Sequence, residues 1–311
     1  MSDTWGAPVP SWHGHRAPEI VDAAGRGEID FLYSIGGNLL ATMPDPNYVA
    51  MAMSRVRLRI HQDVVINTSA LLEPGETVLL LPAQTRYEHA GGVTSTNTER
   101  RIRFSPEIPG PRIAEAKAEW EIPALVARRA PRARAGAHLS QHQGNPRGDC
   151  KGGSHLSRDR EAREAGEWVQ WGGPMLCSNG RFDGMPGERA AFRKVVSPRV
   201  EVPAGKFYLS SRRGKQFNSM TFGTTDPLTG SRSRDEIFVS EADAARLALR
   251  RGDPVVLRSE TGTMRGRARI ADVKVGNLVA QWPECNVLIA RRVDPISGEP
   301  DYNAVVSLEK G

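Results

Sequence analysis

A chain of 311 residues, 39% of them hydrophobic, is long enough for about two domains with buried cores, and no apolar run approaches the roughly 18 residues of a membrane span. The net charge of +6 would suit a nucleic-acid partner, but residues 128–164 carry nine Lys/Arg against four Asp/Glu, which leaves about +1 for the rest, and no aromatics are interleaved with the excess. Three cysteines far apart (Cys150, Cys177 and Cys285) exclude a disulfide framework or a CxxC-type cluster or zinc motif, and an N-terminus without basic and apolar signal regions predicts a cytoplasmic protein.

In chain order, residues 17–24 read as a short helix with Pro18 in the first turn and Gly25 as the stop. Residues 29–35 follow as an apolar strand ending in Gly36, Gly37 and Asn38. The pattern predicts a second helix over 46–54 with Asp45 as its N-cap, then strands over 57–66 and 77–82. Alternation of helix and apolar strand predicts a parallel sheet with helices on its faces, whose ligands sit beyond the carboxyl ends of the strands. Gly36-Gly37-Asn38, Gln62-Asp63 and Gln84-Thr85-Arg86 all fall at or near such ends. The two glycines would let a phosphate approach the backbone, yet neither G-x-G-x-x-G nor a P-loop is present, and a plain turn explains them as well. His61 and His89 lack partners at metal spacing and read as structural. The hydroxyl-rich residues 91–101 are either a ligand-wrapping loop or a polar surface loop.

Residues 106–111 form a proline-rich connector, and Ile113, Ala116, Trp120 and Ala124 predict a helix over 113–126. Periodicity then stops. Apart from Leu139 and Leu156, residues 128–164 hold no apolar side chain of any size besides alanine and one cysteine, and they read as a disordered basic linker. His138, His142, Cys150 and His155 are zinc-type donors, but Gly136, Gly144, Pro146 and Gly148 argue against a helix that would align them. Order resumes at Trp168.

The last third of the chain reads as many short strands and one helix, the pattern of a small β-barrel. Strands are predicted over 236–239, 254–259, 265–273, 278–282 and 286–290, with a helix over 241–249 that Ser240 and Asp243 would cap. The opening strand of this part ends in a dense set of donors: Arg212, Arg213, Lys215, Gln216, Asn218 and Ser219 around the flexible Gly214. Such a loop suits a large anionic, hydrogen-bonding ligand such as a phosphorylated heterocycle. A basic surface loop is the plain alternative.

Tyr33-Ser-Ile-Gly-Gly-Asn-Leu, Arg59-Ile-His-Gln-Asp, Leu80-Leu-Pro-Ala-Gln-Thr-Arg-Tyr-Glu and Phe104-Ser-Pro-Glu-Ile-Pro-Gly-Pro-Arg resemble the molybdopterin oxidoreductase alpha-subunit family, in its formate-dehydrogenase-like branch. The block from Ser240-Glu-Ala-Asp-Ala through Arg251-Gly-Asp-Pro-Val to Asn286-Val-Leu resembles the family's molybdopterin dinucleotide-binding domain. The resemblance implies an α/β fold: a partial Rossmann-like parallel-sheet domain (1–127), the basic linker (128–166), a connector (167–203) and a double-psi β-barrel (204–311). It implies a bis(molybdopterin guanine dinucleotide) cofactor with molybdenum or tungsten. Gly36, Gly37 and Asn38 would then lie near a dinucleotide phosphate, and Gln62 and Asp63 near the guanine or ribose. Arg212, Arg213, Gly214, Gln216, Asn218 and Ser219 would hold pterin and pyrophosphate, with Asn286 and Tyr302 closing over the pterin.

The departures carry their own expectations. Family members usually begin with a longer region that bears a 4Fe-4S cluster and the metal ligand, so the chain is expected to be a C-terminal part that binds no cluster and supplies no catalytic residue. Its partners would be the cofactor, the missing N-terminal half or an electron-transfer subunit, and neither nucleic acid nor a membrane span. An inactive fragment or stand-alone binding module is the alternative. The abrupt loss of periodicity over 128–164 between matching flanks is what out-of-frame translation produces, which predicts two compensating frameshifts. Resequencing the gene without finding an indel would remove that hypothesis.

Overall fold

The computed structural model describes residues 8, 11–97, 100–113, 115–129, 166–170, 177, 179–182, 185–192, 194, 196, 200–215, 219, 221 and 223–311. They fall into two compact units, His13–Leu80 with Arg199–Gly311 and Met1–Trp12 with Leu81–Pro198. Residues 130–165 of the expected linker, with its zinc-type donors, lie outside the described residues, as do Gln216 and Asn218, while Arg128 and Arg129, expected to open the linker, end a helix instead. Among the described residues no group of His, Cys, Asp or Glu is placed to hold a metal, and no helix is long and apolar enough to cross a membrane.

Helix α1 (Ala17–Gly25) takes Pro18 in its first turn, where a missing N–H costs nothing, and Glu19 accepts from the Arg16 N–H at 2.7 Å. Gly25 is its last residue rather than a stop outside it. A Cβ there would run into the Tyr48 ring, so this glycine serves a close packing. β1 (Phe31–Ile35) starts two residues later than predicted, and a short α2 (Leu39–Thr42) follows. α3 (Pro46–Ser54) has the predicted bounds, and Asp45 Oδ1 accepts from the Tyr48 N–H at 3.2 Å. α1 and α3 share a core of Val21, Ala24, Val49, Ala52, Met53 and Val56.

β2 (Leu58–Asp63) runs parallel to β1, with Phe31 opposite Leu58 and Ile35 opposite Gln62, and β3 (Thr77–Pro82) completes the order β1-β2-β3. The strand expected to reach residue 66 ends at Asp63. The Asp63 carboxylate turns the chain there by accepting from the Val64 N–H at 2.7 Å and from Asn67 Nδ2 at 2.9 Å.

The other unit holds an antiparallel sheet of β4 (Val93–Thr96), β5 (Arg101–Ser105) and β6 (Trp168–Gln170). β4 comes from the hydroxyl-rich stretch read as loop, because Val-Thr-Ser-Thr suits an edge strand. The helix predicted over 113–126 begins only at Glu121, as α4 (Glu121–Arg129). Pro123 explains the difference. It has no N–H to donate back to Glu119, so it fits the first turn of a helix but not its middle.

The last third is a closed six-stranded barrel. Its elements are β7 (Phe207–Arg212), β8 (Glu236–Val239), α5 (Glu241–Arg246), β9 (Pro254–Arg258), β10 (Thr263–Ile270), β11 (Asn277–Gln281) and β12 (Asn303–Lys310). The strand order is β10-β8-β11-β7-β12-β9, with β10/β8 and β11/β7 parallel and the other pairs antiparallel, a double-psi arrangement. Alternate residues of the strands fill it, among them Phe207, Leu209, Ile237, Val239, Leu257, Leu278 and Val306.

Two expectations fail here. The sixth strand is β12, not 286–290, which lies in and just after the 3₁₀ turn Glu284–Leu288. Cys285, Leu288 and Ile289 are all buried, and a continuous apolar run shows no period by which to tell strand from turn. α5 stops at Arg246 instead of reaching 249, because Ala248 turns left-handed (φ +50°) and Leu249 N–H closes on Ala244 O at 2.8 Å.

Candidate functional site

The Gly36–Gly37 turn leaves β1 with both residues at positive φ (+62° and +98°), and nothing lies within 4 Å of where either Cβ would be. Only glycine takes these angles without strain, and the turn presents bare backbone. It is held from beneath. Gly36 N–H donates to Gln62 O at 2.8 Å, and Asn67 Nδ2 donates to Gly37 O at 3.1 Å. Asn38 is buried as the N-cap of α2, and its Oδ1 accepts from Ala41 N–H, Thr68 Oγ1 and Ser69 Oγ at 3.3, 3.1 and 2.7 Å. Its side chain therefore fixes the turn. Gln62 is buried too, and its Oε1 accepts from the Tyr33 hydroxyl at 2.5 Å.

His61, next to it, is buried with both ring nitrogens unpartnered. Burial and the nearby Arg59 charge lower its pKa against the opposing pull of Asp63. Its folded pKa lies below the unfolded value of about 6.5, so the unfolded chain takes up the proton first as pH falls. The stability this neutral imidazole brings is whole above that value and drains away as pH falls toward the folded pKa. His61→Leu is expected to flatten this acid-side slope in urea unfolding at pH 7 against pH 5.5. An unchanged slope would show that the imidazole is not held neutral.

The donor loop leaves β7 in the barrel and is organised by Asp226, which is fully buried. Its Oδ1 accepts from the Lys215 N–H at 3.0 Å, its Oδ2 accepts from Thr229 Oγ1 at 2.6 Å, and Arg212 lies 3.4 Å away. Burial alone would raise the pKa of this carboxyl. The Thr229 hydroxyl, the Lys215 and Leu228 N–H groups and the Arg212 charge outweigh it, and the net shift is downward. One carboxylate thus ties both ends of the loop and neutralises Arg212. Arg213 is different. It is exposed, has no carboxylate partner among the described residues, and lies 4.8 Å over the Trp282 ring. Gly214 and Ser219 are buried in the same loop.

Asn286 and Tyr302 reach across to the α/β half of their unit. Asn286 Nδ2 donates to Ala41 O at 2.8 Å and Met43 O at 3.3 Å, and Asn286 O accepts from the Asp45 N–H at 3.1 Å. The Tyr302 hydroxyl donates to Thr42 O at 2.7 Å. Both residues collect the carbonyls at the end of α2, which would otherwise lack donors. Arg291 adds ion pairs to Asp22 and, at 3.9 Å, to Asp45, and it stacks on the Tyr48 ring. The barrel and the Gly36–Gly37 turn are therefore joined through residues 41–45.

Sequence reasoning missed three residues here. Asp226 sits in Asp-Pro-Leu-Thr-Gly, a turn signal that could have marked it. Buried Arg59 has its partners in the chain ten to fourteen residues on, and Gln281 at the end of β11 is buried with its amide unpaired. Cys285 is a packing thiol, which burial pushes up to about 12.

Comparison with known proteins fits this geometry. The family described as "Molydopterin dinucleotide binding domain" matches residues 207–306, which span the barrel from β7 into β12. A nitrate reductase of Klebsiella oxytoca is 30% identical over 318 residues, covering 91% of this chain and 35% of that protein. A formate dehydrogenase subunit alpha of Methanocaldococcus jannaschii is 30% identical over 122 residues, 39% of this chain and 17% of its own. The acetylene hydratase of Pelobacter acetylenicus shares the fold, with a TM-score of 0.63 at 13% identity over 95% of this chain and 46% of its own. The chain spans less than half the length of the curated relatives it matches. Residues 207–306 thus match the molydopterin dinucleotide binding domain, in a chain similar to part of a nitrate reductase and of a formate dehydrogenase subunit alpha.

Proposed function

We propose that this chain is the cofactor-binding portion of a formate-dehydrogenase-like oxidoreductase and holds bis(molybdopterin guanine dinucleotide) with molybdenum or tungsten. The observation that carries this reading is the donor loop: a strand end with Arg213 left without a carboxylate among the described residues and Arg212 already neutralised by Asp226. A pyrophosphate needs such an uncompensated guanidinium, and the heterocycle beside it needs neutral donors and acceptors. The residues present fit the group, since the unpaired buried amide of Gln281 lies on the strand beside Arg212.

In this reading Arg213, Gly214, Gln216, Asn218 and Ser219 contact pterin and pyrophosphate, while Arg212 and Asp226 hold the loop that presents them. Gly36 and Gly37 offer bare backbone to a phosphate of a dinucleotide, and Asp63 faces a ribose or guanine. Asn38 and Gln62 fix that turn. Asn286 and Tyr302 keep the turn and the barrel in register and so form the wall nearest the pterin. When bound, the metal–dithiolene centre supplies the redox chemistry, and the chain's own residues bind, orient and neutralise its organic part. No residue of this chain is proposed as a metal or cluster ligand. A partner segment or subunit supplies those and the electron route, in the cytoplasm.

The test is the content of the purified protein. It should release a fluorescent pterin on acid oxidation, with molybdenum or tungsten in proportion. A pterin without metal would make the chain a stand-alone binding module, and neither would make it an inactive fragment.

A further inference from the structure

Gln281 ends β11 with no exposed surface, and among the described residues neither Nε2 nor Oε1 has a hydrogen-bond partner. Register explains where the side chain points. Leu278 and Ala280 belong to the barrel core, and Leu209 of β7 pairs with Leu278 within it. Alternation therefore turns Gln281 and its register partner Arg212 outward on the same face. Trp282, the next residue, donates its N–H to Arg212 O at 2.8 Å and lies beneath Arg213. The unpaired amide is thus seated in the root of the donor loop.

A buried amide with both ends unsatisfied is rare in folded proteins, and a methionine would fill the same space without the cost. We infer that Gln281 reads the heterocycle of the bound ligand: its Oε1 accepts from, and its Nε2 donates to, one amide-like edge. That edge must present an N–H donor beside a carbonyl or ring-nitrogen acceptor, as the aminopyrimidinone ring of a pterin does. A phosphate or carboxylate offers acceptors alone and would leave Oε1 unpaired, while a cation would leave Nε2 unpaired. The work of the loop is then divided, with Arg213 taking the pyrophosphate charge and Gln281 the neutral edge. The amide is closed off in the free protein, so the contact forms as the ligand displaces the packing over it. This inference rests on the cofactor reading above.

The test is Gln281→Met in the full chain. The thermal midpoint of the cofactor-free protein is expected to stay level or rise, because no hydrogen bond is lost. Pterin retained after gel filtration is expected to fall about tenfold, the worth of two net hydrogen bonds. A lowered midpoint in the cofactor-free variant, or retention equal to wild type, overturns the inference while leaving the cofactor reading intact. Wild-type protein that carries no pterin overturns both. Should methionine not be accommodated, Gln281→Glu keeps the shape and the acceptor but removes the donor. Its retention is expected to fall as well, and equal retention would overturn the inference in the same way.

Discussion

Asp226→Ala is expected to destabilise the barrel unit by about 3–5 kcal/mol and to strip the cofactor from whatever protein still folds. The magnitude follows from what the carboxylate does. It is fully buried, takes hydrogen bonds from Thr229 and the Lys215 backbone, and lies 3.4 Å from Arg212. Removing it leaves a largely buried guanidinium without a counter-charge and the Lys215 N–H without its acceptor, and breaking a buried pair from one side is the costly way to lose it. Asp226→Asn is milder, because an amide oxygen can still accept from Lys215 while the charge on Arg212 goes unmatched. Urea unfolding of the three proteins, with pterin content read alongside, checks the order wild type, Asn, Ala. The lowered pKa adds a pH signature. Its folded value lies below the unfolded value of about 3.9, so this contribution is present above that pH and lost as pH falls below it. An alanine variant as stable as wild type would mean that the loop is held by something else.

Arg59→Met is expected to cost about 3–4 kcal/mol, and its effect should reach the Gly36–Gly37 turn without touching it. Arg59 is fully buried on β2. Its guanidinium donates to Ser69 O at 3.3 Å, Leu72 O at 2.6 Å and Glu73 O at 2.9 Å. Methionine fills the space but leaves three carbonyls without their donor. The loop they belong to also carries Asn67, which bonds Gly37 O, and Ser69, which bonds Asn38 Oδ1. Loosening it therefore loosens the backbone proposed to meet a phosphate. Arg59→Lys should recover little, since one ammonium cannot fork to three carbonyls. Denaturant midpoints test the stability, and amide exchange at residues 36–38 tests the coupling. Unaltered exchange there would break the link from Arg59 to the turn.

What the sequence makes legible follows how local each signal is. α3 and β3 have their predicted bounds because Asp45-Pro46 and the apolar run of 77–82 announce themselves within a few residues. The donor loop was visible as a composition, but which of its arginines is free was not. Arg212 and Arg213 are neighbours in sequence, and only the fold separates them by placing Asp226, fourteen residues on, against the first. Gln281 looks like any polar residue at a strand end until the register with β7 puts it under the loop. Asn286 and Tyr302 were legible as important residues, yet their donors go to the carbonyls of residues 41–43, more than 240 positions away. The 286–290 stretch misleads for the opposite reason, since burial of Cys285, Leu288 and Ile289 erases the period that marks a strand.

The central claim is that Arg213 and the loop around it hold a molybdopterin dinucleotide. The most direct measurement is the pterin and metal content of the purified wild-type chain beside Arg213→Ala, prepared identically and matched for folded protein by thermal melting. Exposed Arg213 contributes little to the fold, so the two midpoints should agree, while loss of its charge-assisted contact should lower pterin content about tenfold or more. Equal content in the two proteins would contradict the account and return the loop to an ordinary basic surface.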